Sequence, residues 1–146
     1  MVTNRIAKFE QATLTEMDSS THPPFRAKSR VHALRFALQG LHDAWHGQPN
    51  LRLHVFCGVG VVTLGAWCGL SVVEWLWVSF AIGLVIFAEL MNTAIEHTVD
   101  LVVGLRHDPL ARKVKDVAAG CVLVAALLAV IIGTLTFAPH LMMMRG

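Results

Sequence analysis

Apolar residues fall into three long stretches along the chain, separated by short polar or turn-forming segments. The first covers residues 55–73, the second starts at Trp75 and continues through a run of polar positions, and the third covers residues 117–139. Each has about 19 residues or more, which is enough to cross a hydrocarbon core of about 30 Å as an α-helix. The pattern predicts an all-α integral membrane protein with three transmembrane helices.

A different pattern precedes the first apolar stretch. Within residues 30–45, apolar residues recur at steps of three and four with basic and polar residues between them; they are Val31, Leu34, Leu38, Leu41 and Trp45. This spacing predicts an N-terminal amphipathic helix that lies in the membrane interface. Residues 47–50 are expected to break that helix, and residues 1–28 are predicted to be a flexible tail ahead of a membrane domain at residues 29–146.

Capping residues predict where the first two membrane helices begin and end. Pro49 suits the first turn of the first helix, which is expected to run to about Leu70. Ser71 is followed three residues later by Glu74, which is the spacing of a capping box. The second helix is therefore predicted over residues 72–103, about 48 Å long, so that one end projects beyond the hydrocarbon core.

The third membrane helix is bounded by different signals. Gly104 is expected to end the helix before it, and the loop that follows leads to a helix start near Leu110. Since proline removes a backbone donor, the third helix is expected to end before Pro139.

Composition and charge add an orientation to this picture. The chain has 146 residues, is 55% hydrophobic and carries a net charge of +2, which is typical of a small membrane protein. Basic residues precede the first span and lie between the second and third; they are Arg26, Lys28, Arg30, Arg35, Arg52, Arg106, Arg112, Lys113 and Lys115. The positive-inside rule places the N-terminus and the second loop in the cytoplasm. The three cysteines have no paired spacing and are interpreted as buried reduced thiols.

Four polar residues interrupt the second apolar stretch at helical spacing. Glu89, Asn92, Glu96 and Asp100 lie at offsets of 3, 7 and 11, which brings them onto one narrow face of a helix. A charged side chain at the bilayer centre costs roughly 2.5 to 3.5 kcal/mol on insertion scales. The stripe is therefore expected to face protein, water or a bound cation.

Oxygen ligands at this spacing suit Mg²⁺, which usually takes one or two protein carboxylates and completes its shell with water and phosphate oxygens. Lys115 and Asp116 add a phosphate-binding cation and a further carboxylate at the cytoplasmic start of the third helix. Glu89 lies about two helical turns deeper in the membrane than Glu96. Desolvation at that depth favours a group that exchanges protons over one with a permanent charge. The combination indicates phosphoryl transfer from ATP to a membrane alcohol. On the residues alone, two alternatives stay open: pairing across helices that holds an oligomer together, and an ion path.

The stripe and the segment after it resemble a known family. The sequence from Glu89 to Asp100, ELMNTAIEHTVD, and the segment from His107 to Gly120, HDPLARKVKDVAAG, are similar to the prokaryotic diacylglycerol kinases, and more so to the branch that phosphorylates undecaprenol. The resemblance extends from about residue 30 to the C-terminus. It implies a homotrimer with active sites shared between subunits, in the bacterial inner membrane, with ATP and Mg²⁺ as cofactors. No nucleic-acid partner is expected.

The resemblance also implies roles for individual residues. Glu89 is expected to be the catalytic base, with Asn92 assisting it, and Glu96 a Mg²⁺ ligand. Nucleotide contacts are expected from Lys115, Asp116, Asp100, Glu96, Phe36, His107 and Asp108. Lipid contacts are expected from Asn50, Arg52, Trp67 and Glu89.

One position departs from the family pattern. Gln48 stands where the family usually carries a second metal-binding glutamate. An amide oxygen still coordinates Mg²⁺ but contributes no charge, so weaker metal binding is expected. A catalytically impaired trimeric scaffold is accordingly an alternative to the kinase, alongside an ion-conducting oligomer. His54, His97 and the other histidines near this level are interpreted as interfacial hydrogen-bonding groups, not zinc ligands.

Overall fold

A computed structural model describes residues 30–104 and 106–144, and all regular secondary structure in these ranges is helical. The helices are α1 (Arg30–Gly47), α2 (Pro49–Cys68), α3 (Val72–Val103) and α4 (Pro109–Met143). The chain divides into two compact units, residues 1–39 and 40–146. The described part of the first unit is the beginning of α1, whereas the second unit contains the end of α1 and all of α2, α3 and α4. The predicted tail at residues 1–28 lies outside the described residues.

Three helices are long and apolar enough to cross a membrane, namely α2, α3 and α4. Large apolar side chains cover the outside of the second unit; for example, Phe80 is 57% exposed and Leu135 is 73% exposed. Such a surface is unfavourable in water and favourable in lipid. The prediction of three apolar spans is confirmed.

α3 and α4 form the most extensive helix pair, and α2 packs mainly against α3. Two glycines bring α2 close to its neighbour. A Cβ atom on Gly58 would lie 3.1 Å from Cγ2 of Ile82, and one on Gly65 would lie 3.0 Å from Cη2 of Trp75. A side chain at either position would force the neighbouring side chain on α3 to shift, so glycine permits this close approach. Together they fix an antiparallel register between α2 and α3.

The start of α3 is held by the predicted capping box. The backbone N–H and the hydroxyl of Ser71 both donate to Oε2 of Glu74 at 2.7 Å, and the N–H of Glu74 donates back to the Ser71 hydroxyl at 3.4 Å. Oε1 of Glu74 lies 3.7 Å from Nε2 of His140 on α4. A cluster of Leu70, Val78 and Phe137 packs nearby. Local and cross-helix contacts therefore stabilise the end of the bundle where α3 begins.

Most predicted helix ends are confirmed, with one error. Only Gln48 is non-helical between α1 and α2, Pro49 begins α2, and Gly104 ends α3 with a positive φ of 60°. The prediction that the third membrane helix ends before Pro139 is wrong, because α4 continues through Pro139 to Met143. Proline removes one backbone hydrogen bond and crowds the carbonyl one turn earlier, but the next turn still closes, with the N–H of Met144 donating to the carbonyl of His140 at 3.2 Å.

Candidate active site

The four polar residues of α3 form a gradient of burial along one face of the helix. Glu89 is 2% exposed and Asn92 is 7% exposed, whereas Glu96 is half-buried and Asp100 is exposed. We call these four residues the polar face of α3. A carboxylate as deeply buried as Glu89 is costly to desolvate, so the face is expected to have a function or a compensating partner.

Hydrogen bonds compensate the polar face only in part. Nδ2 of Asn92 donates to Oε1 of Glu96 at 3.1 Å. Oδ1 of the same Asn92 is buried without a hydrogen-bond partner. The hydroxyl of Thr93 donates to the backbone carbonyl of Glu89 at 2.9 Å and not to its carboxylate. Within the described residues, the Glu89 carboxylate accepts no hydrogen bond. The Glu89 carboxylate and the buried Oδ1 of Asn92 are therefore left available to a ligand.

An ion pair closes the other end of the face. Nζ of Lys115 on α4 lies 2.6 Å from Oδ1 of Asp100. The two side chains are 35% and 56% exposed, and a pair this exposed stabilises a fold by no more than about 1 kcal/mol. Asp116 is held more loosely by Arg112, at 3.8 Å. The pair contributes little to stability, but it holds the Lys115 ammonium group beside the polar face.

The start of α2 lies at the depth of the buried carboxylate. When the register set by Gly58 and Gly65 is continued by about two turns toward the N-terminus of α2, Asn50 and Arg52 reach the depth of Glu89. Gln48 reaches approximately the depth of Asn92. The side chain of Gln48 makes no capping hydrogen bond to α2, so its amide is not committed to the helix end.

An apolar cavity of about 330 Å³ opens between α2, α3 and α4 just beyond Glu89. Val85, one turn from Glu89, contributes to its wall, and Phe137 lies toward the far end. Small residues make the space; they are Gly58, Ala81, Ala126, Ala129 and Gly133. Apart from His54 and Cys57, every lining residue is apolar. The cavity suits a hydrocarbon chain.

The chain is similar to known lipid kinases. The prokaryotic diacylglycerol kinase family model matches residues 35–137. The undecaprenol kinase of Bacillus subtilis is 42% identical over 114 residues, covering 78% of this chain and 89% of that protein. The diacylglycerol kinase of Synechocystis is 39% identical over 116 residues, or 80% of this chain and 66% of that protein, and the diacylglycerol kinase of Escherichia coli is 27% identical over 101 residues, or 69% and 82%.

The chain belongs to the prokaryotic diacylglycerol kinase family. It is a membrane protein and a lipid kinase, a phosphotransferase with an alcohol as acceptor. The matched residues contain the whole polar face of α3, the Lys115 ion pair and every residue that lines the apolar cavity.

Not all of the predicted site residues of this lipid kinase come together. Trp67 is 73% exposed and lies about 22 Å along α2 from Arg52, at 1.5 Å per residue, so the two cannot contact one lipid headgroup. Asp108 caps α4, where its Oδ1 accepts from the N–H groups of Leu110 and Ala111 at 2.7 and 3.2 Å. His107 is exposed in the loop before it. The nucleotide contacts of Asp108 and His107 stay predictions.

Phe36 belongs to the first compact unit, where its ring lies 6.5 Å from that of His32. Its predicted contact with the nucleotide likewise stays a prediction. A different residue, His54, was not predicted as part of the lipid kinase site. Its position beside the cavity follows from the register between α2 and α3, which no periodicity within one helix encodes.

The oxygen atoms of the lipid kinase fit Mg²⁺ bound together with a nucleotide. Glu96 offers a half-buried carboxylate, and Asn92 offers a buried Oδ1 with no partner. Among the described residues, no group of three or more His, Cys, Asp and Glu side chains is arranged to hold a metal ion. Because Mg²⁺ takes one or two protein ligands and fills its octahedron with water and phosphate oxygens, this small donor set suits a Mg-nucleotide.

Proposed function

We propose that this lipid kinase transfers the γ-phosphate of ATP, in the presence of Mg²⁺, to the primary hydroxyl of a membrane lipid, either diacylglycerol or undecaprenol. The observation that carries the proposal is the buried Glu89 carboxylate, which has no hydrogen-bond donor among the described residues and lies between two different environments. On one side lies an apolar cavity, and on the other lies the end of the polar face where Asp100 pairs with Lys115 of α4. A lipid alcohol and a nucleotide require these two environments.

Glu89 is proposed as the catalytic base, assisted by Asn92. The lipid hydroxyl donates its proton to the Glu89 carboxylate as the hydroxyl oxygen bonds to the γ-phosphorus. The bond between that phosphorus and the β–γ bridging oxygen breaks, and ADP leaves with the bridging oxygen. Phosphoryl transfer depends mainly on positioning and on charge neutralisation, so a rigid helix face is a suitable support.

The nucleotide is proposed to bind at the far end of the polar face, with contacts from Lys115, Asp116, Asp100, Phe36, His107 and Asp108. Glu96 and Gln48 are proposed to hold Mg²⁺, which when bound neutralises charge on the phosphate oxygens. Asn50 and Arg52 are proposed to contact the polar end of the lipid, since the register brings them to the depth of Glu89. Trp67 is proposed to contact the hydrocarbon chain alone, because it lies far from Glu89.

The kinase domain is proposed to comprise residues 29–146, with residues 1–28 as a flexible tail. Its assembly is proposed to be a homotrimer with active sites shared between subunits, and α1 is proposed to lie in the membrane interface. The basic loop between α3 and α4 supports an orientation with the N-terminus and the site on the cytoplasmic side of the bacterial inner membrane.

Purified protein with radiolabelled ATP tests the proposal. Each of the two lipids is supplied separately, with and without Mg²⁺, and labelled lipid is measured. We expect Mg²⁺-dependent labelling of at least one lipid. Labelling of neither would contradict the proposal and favour the scaffold; ion flux through the protein in lipid vesicles, without labelling, would favour the ion path.

A further inference from the structure

Among the described residues, His54 is the one histidine that lines the apolar cavity. It lies on α2, is half-buried and lines the same end of the cavity as Val85, one turn from Glu89. The only other lining side chain with a polar atom is Cys57, whose thiol is a weak donor. A hydrogen-bonding group is therefore set at the entrance of a space that otherwise suits hydrocarbon.

The imidazole of His54 is close enough to the Glu89 carboxylate to interact with it electrostatically. The two groups form no ion pair, so their nitrogen and oxygen atoms are more than 4.0 Å apart. Neither side chain has a hydrogen-bond partner among the described residues. A separation above 4.0 Å is too long for a direct hydrogen bond, so both groups keep their hydrogen-bonding capacity for a ligand.

A lipid hydroxyl has the chemistry for that place. A hydroxyl group has one O–H donor and two acceptor lone pairs. It can donate to the Glu89 carboxylate and accept from an imidazole N–H, and a second lone pair remains to bond the γ-phosphorus. The hydrocarbon attached to it then continues into the cavity.

We infer that His54 is a substrate-positioning residue, whose imidazole N–H binds the oxygen of the lipid hydroxyl and directs its proton toward Glu89. The inference rests on the proposed lipid kinase reaction and adds to it the residue that orients the acceptor. His54 acts on the hydroxyl and not on the chain. Its effect should therefore depend on whether the lipid carries that hydroxyl.

The test compares His54→Leu, which keeps an apolar side chain of moderate size, with His54→Gln, whose amide N–H replaces the imidazole donor. His97→Leu is the matched control, because His97 is exposed on α3 and makes no polar contact. For each protein, kcat and KM are measured separately for ATP and for the lipid that the wild type labels. The inhibition constant of a deoxy analogue of that lipid, which lacks the hydroxyl, is also measured.

We expect His54→Leu to lower kcat/KM for the lipid roughly tenfold, the factor that one lost hydrogen bond is worth. The KM for ATP and the inhibition constant of the deoxy analogue should change less than about twofold. His54→Gln should restore most of the loss, and His97→Leu should resemble the wild type.

Three results would overturn the inference. They are an unchanged kcat/KM for the lipid in His54→Leu, a loss that His54→Gln does not restore, and an equal weakening of the deoxy analogue, which would show that His54 only shapes the cavity. If the wild type labels neither lipid, the proposed function fails and the inference fails with it. If the wild type is active and only the His54 variants depart from expectation, the proposed function stands.

Discussion

The N-terminal end of α3 and the half of α3 that bears the polar face both carry carboxylates, but the surroundings of these carboxylates differ. At the N-terminal end, Glu74 accepts two hydrogen bonds from Ser71 at 2.7 Å and lies 3.7 Å from His140. At the other end, the Glu89 carboxylate accepts none from the described residues, and Oδ1 of Asn92 is buried without a partner. Asp100 alone has a close cross-helix partner there, Lys115 at 2.6 Å.

This difference separates a structural carboxylate, Glu74, from the proposed catalytic one, Glu89. Glu74 stabilises the start of a helix, since its acceptor atoms bind groups that would otherwise be unpaired. Glu89 and Asn92 leave acceptors unused in a buried position, an arrangement that costs free energy unless a ligand completes it. We expect a membrane helix with apolar residues at both positions to be more stable, and this expectation supports the proposal that the polar face serves catalysis.

The largest expected effect comes from exchanging the carboxylates at the two ends for amides. Glu89→Gln should lower kcat roughly 10³-fold, the usual contribution of a general base, because an amide cannot accept the proton of the lipid hydroxyl. Glu74→Gln is the matched control on the same helix and should keep kcat within about twofold. The measurement is labelled lipid formed per minute at saturating ATP and lipid; comparable losses in both variants would remove the distinction between the ends.

The cation at the polar end gives the next largest effect. Lys115→Met should lower kcat/KM for ATP roughly a hundredfold, since it removes a charge that neutralises the phosphates. Lys113→Met, two residues earlier and exposed, should change it little. Steady-state kinetics with ATP as the varied substrate separates the two variants. An equal effect of both substitutions would indicate a general charge effect and no specific contact.

A smaller effect is expected from adding a charge to the proposed Mg²⁺ ligands, at Gln48. Gln48→Glu should lower the Mg²⁺ concentration for half-maximal activity by about fivefold, because a carboxylate attracts a hard cation more strongly than an amide. Gln39→Glu is the control, because it introduces the same charge within α1 and not at the junction of α1 and α2. Activity measured across a Mg²⁺ titration decides the matter, and an unchanged or higher requirement in Gln48→Glu would count against a metal-binding role for this position.

The smallest effect on activity is expected at the opposite end of α3. Ser71→Ala removes the capping hydroxyl and should destabilise the fold by about 1 kcal/mol, which lowers the thermal midpoint by a few degrees. The turnover of folded protein should not change. Ser79→Ala, an exposed serine within the same helix, serves as the comparison. Loss of turnover in Ser71→Ala at a temperature where the protein is folded would mean that this end also serves catalysis.

The sequence predicted the helices well because their signals are local. The capping box at Ser71, the helix start at Pro49 and the glycine end at Gly104 depend on neighbouring residues, and all three are confirmed. The end at Pro139 was predicted wrongly for a related reason. A proline has a local cost, but the apolar run around it favours continued helix in an environment where unpaired backbone groups are more costly still.

The candidate site was predictable along one helix and not between helices. The helical period brings Glu89, Asn92, Glu96 and Asp100 onto one face, and the observed burial follows that order. The depth of His54 relative to Glu89 depends on the contacts of Gly58 and Gly65 with α3, which are tertiary. The unpaired Oδ1 of Asn92 could not be predicted from the sequence either, since it depends on which side chains of α2 and α4 lie near that atom.

The central claim is that the polar face of α3 is kept for catalysis at the expense of stability. Its most direct test is to measure both the thermal unfolding midpoint and the turnover of Asn92→Leu. Leucine keeps the branched shape of asparagine and removes the buried unpaired oxygen. We predict a midpoint equal to or above that of the wild type, together with a loss of turnover of roughly tenfold or more. A midpoint lowered by several degrees, with the turnover of the folded protein preserved, would contradict the account and make the polar face a structural contact.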